Sequence, residues 1–329
     1  MASKCTTILI GNGLGMSIDP NHFRIDQGIK YAWSKLNSDQ QKRIMKIVTN
    51  QSPIDNENQL DKHYTVVQAC LMLSKLEKKS QLEWLLPQAR SFPNDFRDFI
   101  ANTAWHFFNH TTDFIEQDLL IRLNNFISRL INYIKCHKTH IVTLNYDALI
   151  YEQIIKSSEL KSKLTDGFNT NTTGFHASIL SSRPGYYLHL HGSPLFYTDL
   201  RSGIINKKRG DNQNYLREHL ILCNTSLKRR LISSSLLLNC YWDFYKDALS
   251  QSDKIILFGY SGNDTHVNEE ISSLHRKNKN IIVVEYTNQN MKKSARNKYW
   301  SAKLELPENY FNDTNLIWLD SILNYEFIN

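Results

Sequence analysis

The chain has 329 residues, 41% of them hydrophobic and 22% charged, enough for a sizeable core in one large domain or two modest ones. Aromatic residues at 11%, including 16 tyrosines, exclude a disordered chain. The net charge of +7 reads as a lysine-rich solvated surface; a phosphate-bearing ligand or a nucleic-acid partner is compatible with it but not required.

Cys5, Cys70, Cys136, Cys223 and Cys240 are widely spaced and contain no C-x-x-C pair. That pattern argues against a zinc site built from thiolates, and an odd number reads as reduced thiols. No window approaches the roughly 18 consecutive apolar residues of a membrane helix. The apolar run before Gly11 reads as a strand, not a secretion signal, so a cytoplasmic setting is expected.

Residues 6–10 are β-branched and apolar, a buried strand running into Gly11-Asn12-Gly13-Leu14-Gly15-Met16-Ser17. Strand, glycine turn and helix bring backbone N–H groups to a phosphate. The spacing is G-x-G-x-G, not the G-x-G-x-x-G of the dinucleotide fingerprint, and such a turn also serves plain connectivity. Asp19-Pro20-Asn21 is turn chemistry. Phe23-Arg24 then either covers a ligand or pins the loop.

From 27 to 137 apolar residues recur at helical spacing: Val66, Val67, Cys70, Leu71, Leu73 and Leu76, then Leu82, Leu85 and Leu86, then a stripe over 113–135. A largely helical insertion after the first βα unit is expected there. Its His63, His106 and His110 show no metal spacing.

A strand at 140–144 ends in Asn145-Tyr146-Asp147. An amide at such a tip can hold a carboxamide, a ribose hydroxyl or a water; Asp147 equally fits a helix N-cap. A polar connection over 160–184 precedes an alternating strand at 186–190. That pattern stops at His191-Gly192-Ser193-Pro194, placing a histidine at the lip of the sheet, where open α/β folds bind ligands. The plainer alternative is a core histidine before an ordinary turn.

Residues 195–250 are expected to be mainly helical and basic. The runs Lys207-Lys208-Arg209 and Lys228-Arg229-Arg230 read as solvated faces, with nucleic acid or an acidic partner as the alternative. A strand at 254–258 enters a second glycine turn, Gly259-Tyr260-Ser261-Gly262-Asn263-Asp264. Its polar residues suit ribose and phosphate, although Asp264 also fits a helix cap. A strand at 281–284 ends in Glu285, either a ribose acceptor or a solvated charge, and 316–319 closes an edge.

Strands alternating with helices predict an α/β fold: one domain over 1–329 with a doubly wound, Rossmann-like parallel sheet. Its strand ends would bring Gly11, Asn145, His191, Gly259 and Glu285 to one edge. At these motifs the chain resembles the bacterial sirtuin-like NADase family of anti-phage defence effectors. GNGLGMS resembles the sirtuin glycine turn, LNYD its Gln-Asn-x-Asp motif, LHG its His-Gly, and FGYSGNDTHV its later Gly-x-Ser turn.

The resemblance implies a sirtuin-type fold and NAD+ as substrate; the chain departs from the sirtuins in having no C-x-x-C pair, so no zinc ribbon and no metal are expected. It implies that Gly11, Asn12, Gly13 and Ser17 bind the pyrophosphate, and that Asn145 binds the nicotinamide ribose and orders water. Asp147 would face the nicotinamide and His191 act as general base. Gly259, Ser261, Asp264 and Glu285 would hold the adenosine half. The implied activity is NAD+ hydrolysis to nicotinamide and ADP-ribose, by a homo-oligomer or with a HerA-type ATPase partner. Deacylation, ADP-ribosyl transfer and non-catalytic NAD or ADP-ribose binding are the alternatives.

Overall fold

A computed structural model describes residues 5–47, 53–54, 56–76, 87–110, 115–168, 174–208, 215–223, 225–273, 279–287 and 292–327. The apolar run at Leu82, Leu85 and Leu86, residues 113–114 of the expected stripe, and Arg209 lie outside them. The chain begins with β1 (Cys5–Ile10), followed by α1 (Gly13–Met16), α2 (Pro20–Phe23), α3 (Ile25–Lys35), α4 (Ser38–Ile47), α5 (Leu60–Leu76), α6 (Pro87–Phe108) and α7 (Gln117–Cys136). Then come β2 (Lys138–Thr143), α8 (Tyr151–Lys156), β3 (Leu164–Thr165), α9 (Ala177–Leu180), β4 (Gly185–His189), β5 (Phe196–Asp199), β6 (Ile205–Lys207) and β7 (Tyr215–Leu216). The last third holds α10 (Thr225–Ser234), α11 (Leu236–Gln251), β8 (Lys254–Phe258), α12 (Thr265–Ser272), β9 (Asn280–Tyr286), α13 (Lys293–Lys303) and β10 (Leu316–Leu319).

Seven strands form one sheet in the order β10-β9-β8-β1-β2-β4-β3, and every pairing is parallel. This is the expected α/β, Rossmann-like architecture. Helices cover both faces, so the central strands carry continuous β-branched and aliphatic runs instead of alternation. All six residues of β1 are buried. The apparent alternation of β4 has no solvent side either: all five of its residues are buried.

After β1 the chain builds β2, β4 and β3 on one side, then returns to lay β8, β9 and β10 on the other. The strand order therefore reverses at β1, the switch point where such sheets open a crevice. Most of the described residues between β1 and β2 are helical. Phe92, Phe96, Phe99 and Phe107 of α6 are buried in the core.

Two expectations need correction. The first part of 195–250 is not helical: β5, β6 and β7 pair antiparallel in a second, three-stranded sheet. Phe196-Tyr197-Thr198 favours a strand, and the buried Phe196 ring stacks on Phe168 at 5.1 Å. The polar connection also holds β3, which extends the main sheet at its edge.

Three histidines in this fold are buried and neutral. Burial pushes His140 down to about 4, His189 to about 3 and His219 to about 4. Neither nitrogen of His140 or His189 has a hydrogen-bond partner. The unfolded chain takes up these protons near pH 6.5 and the folded chain only well below it. The stability these three groups contribute is therefore complete above about pH 6.5 and falls as the pH drops from there toward pH 3, by up to about 1.4 kcal/mol per pH unit for each group. Urea midpoints measured from pH 7 to pH 4 should show this decline, and His189→Leu should flatten it. A midpoint constant over that range would contradict it.

Candidate active site at the strand tips

The sheet order sets Glu285, Gly259, Gly11, Asn145 and His191 in a row, on or just beyond the ends of β9, β8, β1, β2 and β4. At about 4.8 Å between strands, four steps span roughly 19 Å. A cavity of about 820 Å³ runs along this row and is lined by all five. Its size falls in the range of small-molecule and cofactor sites, roughly 300–1,000 Å³.

The two glycine turns are locked against each other. Gly13 N–H donates to the Gly259 carbonyl at 2.8 Å. A Cβ on Gly13 would lie 2.6 Å from that oxygen, and one on Gly11 2.6 Å from Tyr260 Cα. Gly259 itself has φ of 58°. Close approach of two loops therefore demands these glycines whether or not a phosphate is present. Asn12 lines the cavity and donates from Nδ2 to the Phe23 carbonyl at 2.8 Å. Ser17 is set apart: it caps α1, its hydroxyl donates to the Leu14 carbonyl at 2.7 Å, and it does not line the cavity.

At the other end of the row, His191 Nε2 donates to Asp264 Oδ2 at 3.0 Å, and Lys228 Nζ donates to the same oxygen at 2.8 Å. β8 and β4 are separated by β1 and β2, so the Asp264 loop arches over two strand tips to make this contact. Asp264 is also the N-cap of α12, its Oδ1 accepting from Val267 N–H at 3.4 Å.

Burial opposes charge on Asp264, but His191 and Lys228 outweigh it and hold its carboxyl well below the usual carboxylate range. Burial, then the Lys228 charge, lowers the His191 pKa, while Asp264 and a hydrogen bond to the Leu144 backbone pull the other way. The imidazole is thus biased toward the neutral form, with a carboxylate ready for the cation.

Asn145 N–H donates to Thr143 Oγ1 at 3.0 Å, and its Nδ2 donates to the Gly11 carbonyl at 3.1 Å. That cross-strand bond fixes the amide plane and leaves Oδ1 as the acceptor. Asp147 is not the N-cap of α8, which is Ile150. Its Oδ1 accepts from Leu149 N–H at 3.1 Å, while Oδ2 is buried without a partner. Burial pushes this carboxyl up to about 6. An orphaned carboxylate oxygen in a cavity wall fits a ligand bearing an N–H donor.

Glu285 stands differently from expectation. Its oxygens accept from Arg296 Nε at 3.0 Å and Nη2 at 2.6 Å, from Trp300 Nε1 at 3.0 Å and from Trp318 Nε1 at 2.9 Å. The carboxylate is saturated by the protein, and it is Arg296 and Tyr299 that join it in the wall. Ser261 lines the same end, and its carbonyl accepts from Tyr299 Oη at 2.6 Å.

Sequence reasoning missed Lys228, Glu57, Tyr146 and Arg296, all of which line the cavity. Lys228 sat in a run read as a solvated face; the structure corrects this, with Lys228 buried against Asp264 while Arg229 lies outside on Glu269. Lys207 of the other run likewise pairs with the buried Asp166. A run of cations carries no mark of which one turns inward; only the apolar period of α10 offered a signal.

A family model described as a SIR2-like domain matches residues 139–305, just over half of the chain. The match takes in Asn145, Asp147, His191, Gly259, Ser261, Asp264 and Glu285. Gly11, Asn12, Gly13 and Ser17 precede it. No curated protein gives a significant match.

Proposed function

The chain belongs to the SIR2-like domain family, whose members are NAD-dependent enzymes that take NAD+ as substrate, and from that premise we propose that it is an NAD+ glycohydrolase releasing nicotinamide and ADP-ribose. One observation carries the reading: His191, Asn145 and Asp147, whose Oδ2 has no partner in the protein, line one cavity of about 820 Å³.

Nicotinamide would lie toward Asp147, whose Oδ2 accepts a carboxamide N–H. The glycine turns leave room for the pyrophosphate because they carry no side chains. The adenosine end reaches Ser261, Tyr299 and Arg296. Nicotinamide leaves from NAD+ as a neutral molecule, so little acid catalysis is needed. What the protein supplies is support for an oxocarbenium-like ribose and a placed water. Asn145 Oδ1 holds that water in line. His191 takes a proton from a ribose hydroxyl, and Asp264 stabilises the imidazolium that forms. The resemblance adds a cellular role, NAD depletion in anti-phage defence, switched by self-assembly or by a partner such as a HerA-type ATPase.

The test is incubation of the purified chain with NAD+, alone and with its neighbouring gene product, followed by chromatography for nicotinamide and ADP-ribose. Equal release of both products is expected. Nicotinamide released only when an acetyl-lysine peptide is present, with deacetylated peptide formed, would replace hydrolysis by deacylation. Because Asp147 must be ionised to accept the carboxamide, KM for NAD+ should rise as the pH falls through about 6. Asp147→Asn should remove that dependence; a KM that rises equally in the variant would dissociate Asp147 from the nicotinamide.

A further inference from the structure

A second polar cluster lies away from the cavity, between the loop after α1 and the C-terminal end of α6. Asp19, His22 and His110 each offer a ligand atom, and these atoms all lie within 4.8 Å of one another. None of the three lines the strand-tip cavity.

Neighbouring backbone orients two of them. Asp19 Oδ1 accepts from the N–H groups of Asn21 and His22, both at 3.0 Å. That leaves Oδ2, which lies 3.4 Å from His110 Nε2. His22 Nε2 donates to the His106 carbonyl at 2.9 Å, so Nδ1 keeps the lone pair. His106 returns the bond from its own Nε2 to the His22 carbonyl at 3.3 Å, and the two rings stack at 4.0 Å. The His22 and His110 rings are 4.5 Å apart. The His110 side chain is only 6% exposed, yet its Nδ1 has no hydrogen-bond partner.

We infer that Asp19, His22 and His110 form a binding site for a zinc-class divalent ion. Two imidazoles and one carboxylate are a ligand set for borderline transition metals; magnesium and calcium prefer oxygen alone. A ring held by its second nitrogen on a backbone carbonyl, as His22 is, is the usual support of a metal-binding histidine. Zinc bonds of about 2.0–2.1 Å place tetrahedral ligand atoms roughly 3.4 Å apart, so side-chain rotation of about 1 Å closes the site. A water completes the fourth position.

The ion would staple the α2 turn to the end of α6. Phe23 follows His22 directly, is buried, lines the NAD cavity, and accepts the Asn12 bond through its carbonyl. Fixing His22 therefore fixes one wall of the cavity from outside it.

The full chain, stripped with chelator and dialysed, should be titrated with zinc against a chromophoric chelator, with bound metal counted by mass spectrometry after gel filtration. One zinc per chain is expected, with micromolar affinity or tighter. Cobalt in its place should give visible d–d absorption from a nitrogen–oxygen site. Melting temperature should rise with zinc. His22→Ala and His110→Ala should each weaken binding at least 100-fold and abolish that rise. Asp19→Asn, which preserves the helix cap, should weaken it at least tenfold and serves where a histidine variant fails to fold. No stoichiometric zinc in the parent overturns the site, leaving a packed histidine cluster. Equal binding by parent and variants also overturns it, placing the metal on the free thiols.

Discussion

Replacing His191 by alanine is expected to lower kcat for NAD+ hydrolysis by about 10²–10⁴-fold, the range for loss of a general base. In barrier terms this is about 3–5 kcal/mol. The fold should survive. His191 lines the cavity instead of filling the apolar core, and Asp264 keeps Lys228 as its partner when the imidazole is gone. KM should change far less than kcat, because the ring serves the developing charge more than the bound dinucleotide. The check is product release by the variant beside its circular dichroism and melting curve. A folded variant with parental turnover would remove His191 from the chemistry and leave the cavity as a binding module.

The second large effect belongs to Asp264. Asp264→Ala removes the carboxylate shared by His191 and Lys228, whose side chains are only 10% and 11% exposed. A buried ammonium left without its counter-charge costs about 3–5 kcal/mol, and loss of the α12 cap adds about 1 kcal/mol. Urea unfolding should register this directly. Asp264→Asn leaves Lys228 equally without a counter-charge and is destabilised as well, though less than the alanine variant. It keeps the shape and the cap but loses the charge that raises the His191 pKa. The acid limb of kcat/KM against pH should therefore move to lower pH in this variant. An unmoved limb would make Asp264 a purely structural residue.

The two classes of buried group also separate on the pH axis. Asp264 has a depressed pKa, so its stabilisation is complete above the ordinary value near 3.9 and disappears only as the pH falls through its lower folded value. The neutral histidines begin to act near pH 6.5. Loss of stability between pH 6.5 and pH 4 thus comes from imidazoles, and the carboxylate adds its own loss, up to about 1.4 kcal/mol per pH unit, below that.

The main strands were legible because a doubly covered parallel sheet needs unbroken apolar runs, and KIILF and LIWL occupy β8 and β10 residue for residue. The tips were legible because each run stops abruptly at glycine or a polar residue. β3 and the three-stranded sheet were not, because β3, β6 and β7 have only two or three residues and β5, Phe196 to Asp199, turns polar after two.

Sequence alone thus determined the fold class and which residues follow the main strands at their ends. The reason is local: burial on both faces, and the turn that ends it, are written in consecutive residues. Tertiary structure alone decided how those groups are used. It brought Asp264 across two strands to His191, turned Lys228 inward, saturated Glu285 with Arg296 and two tryptophans, and left Asp147 Oδ2 alone. Charge pairing and desolvation depend on distances between residues remote in the chain, and no local pattern encodes them.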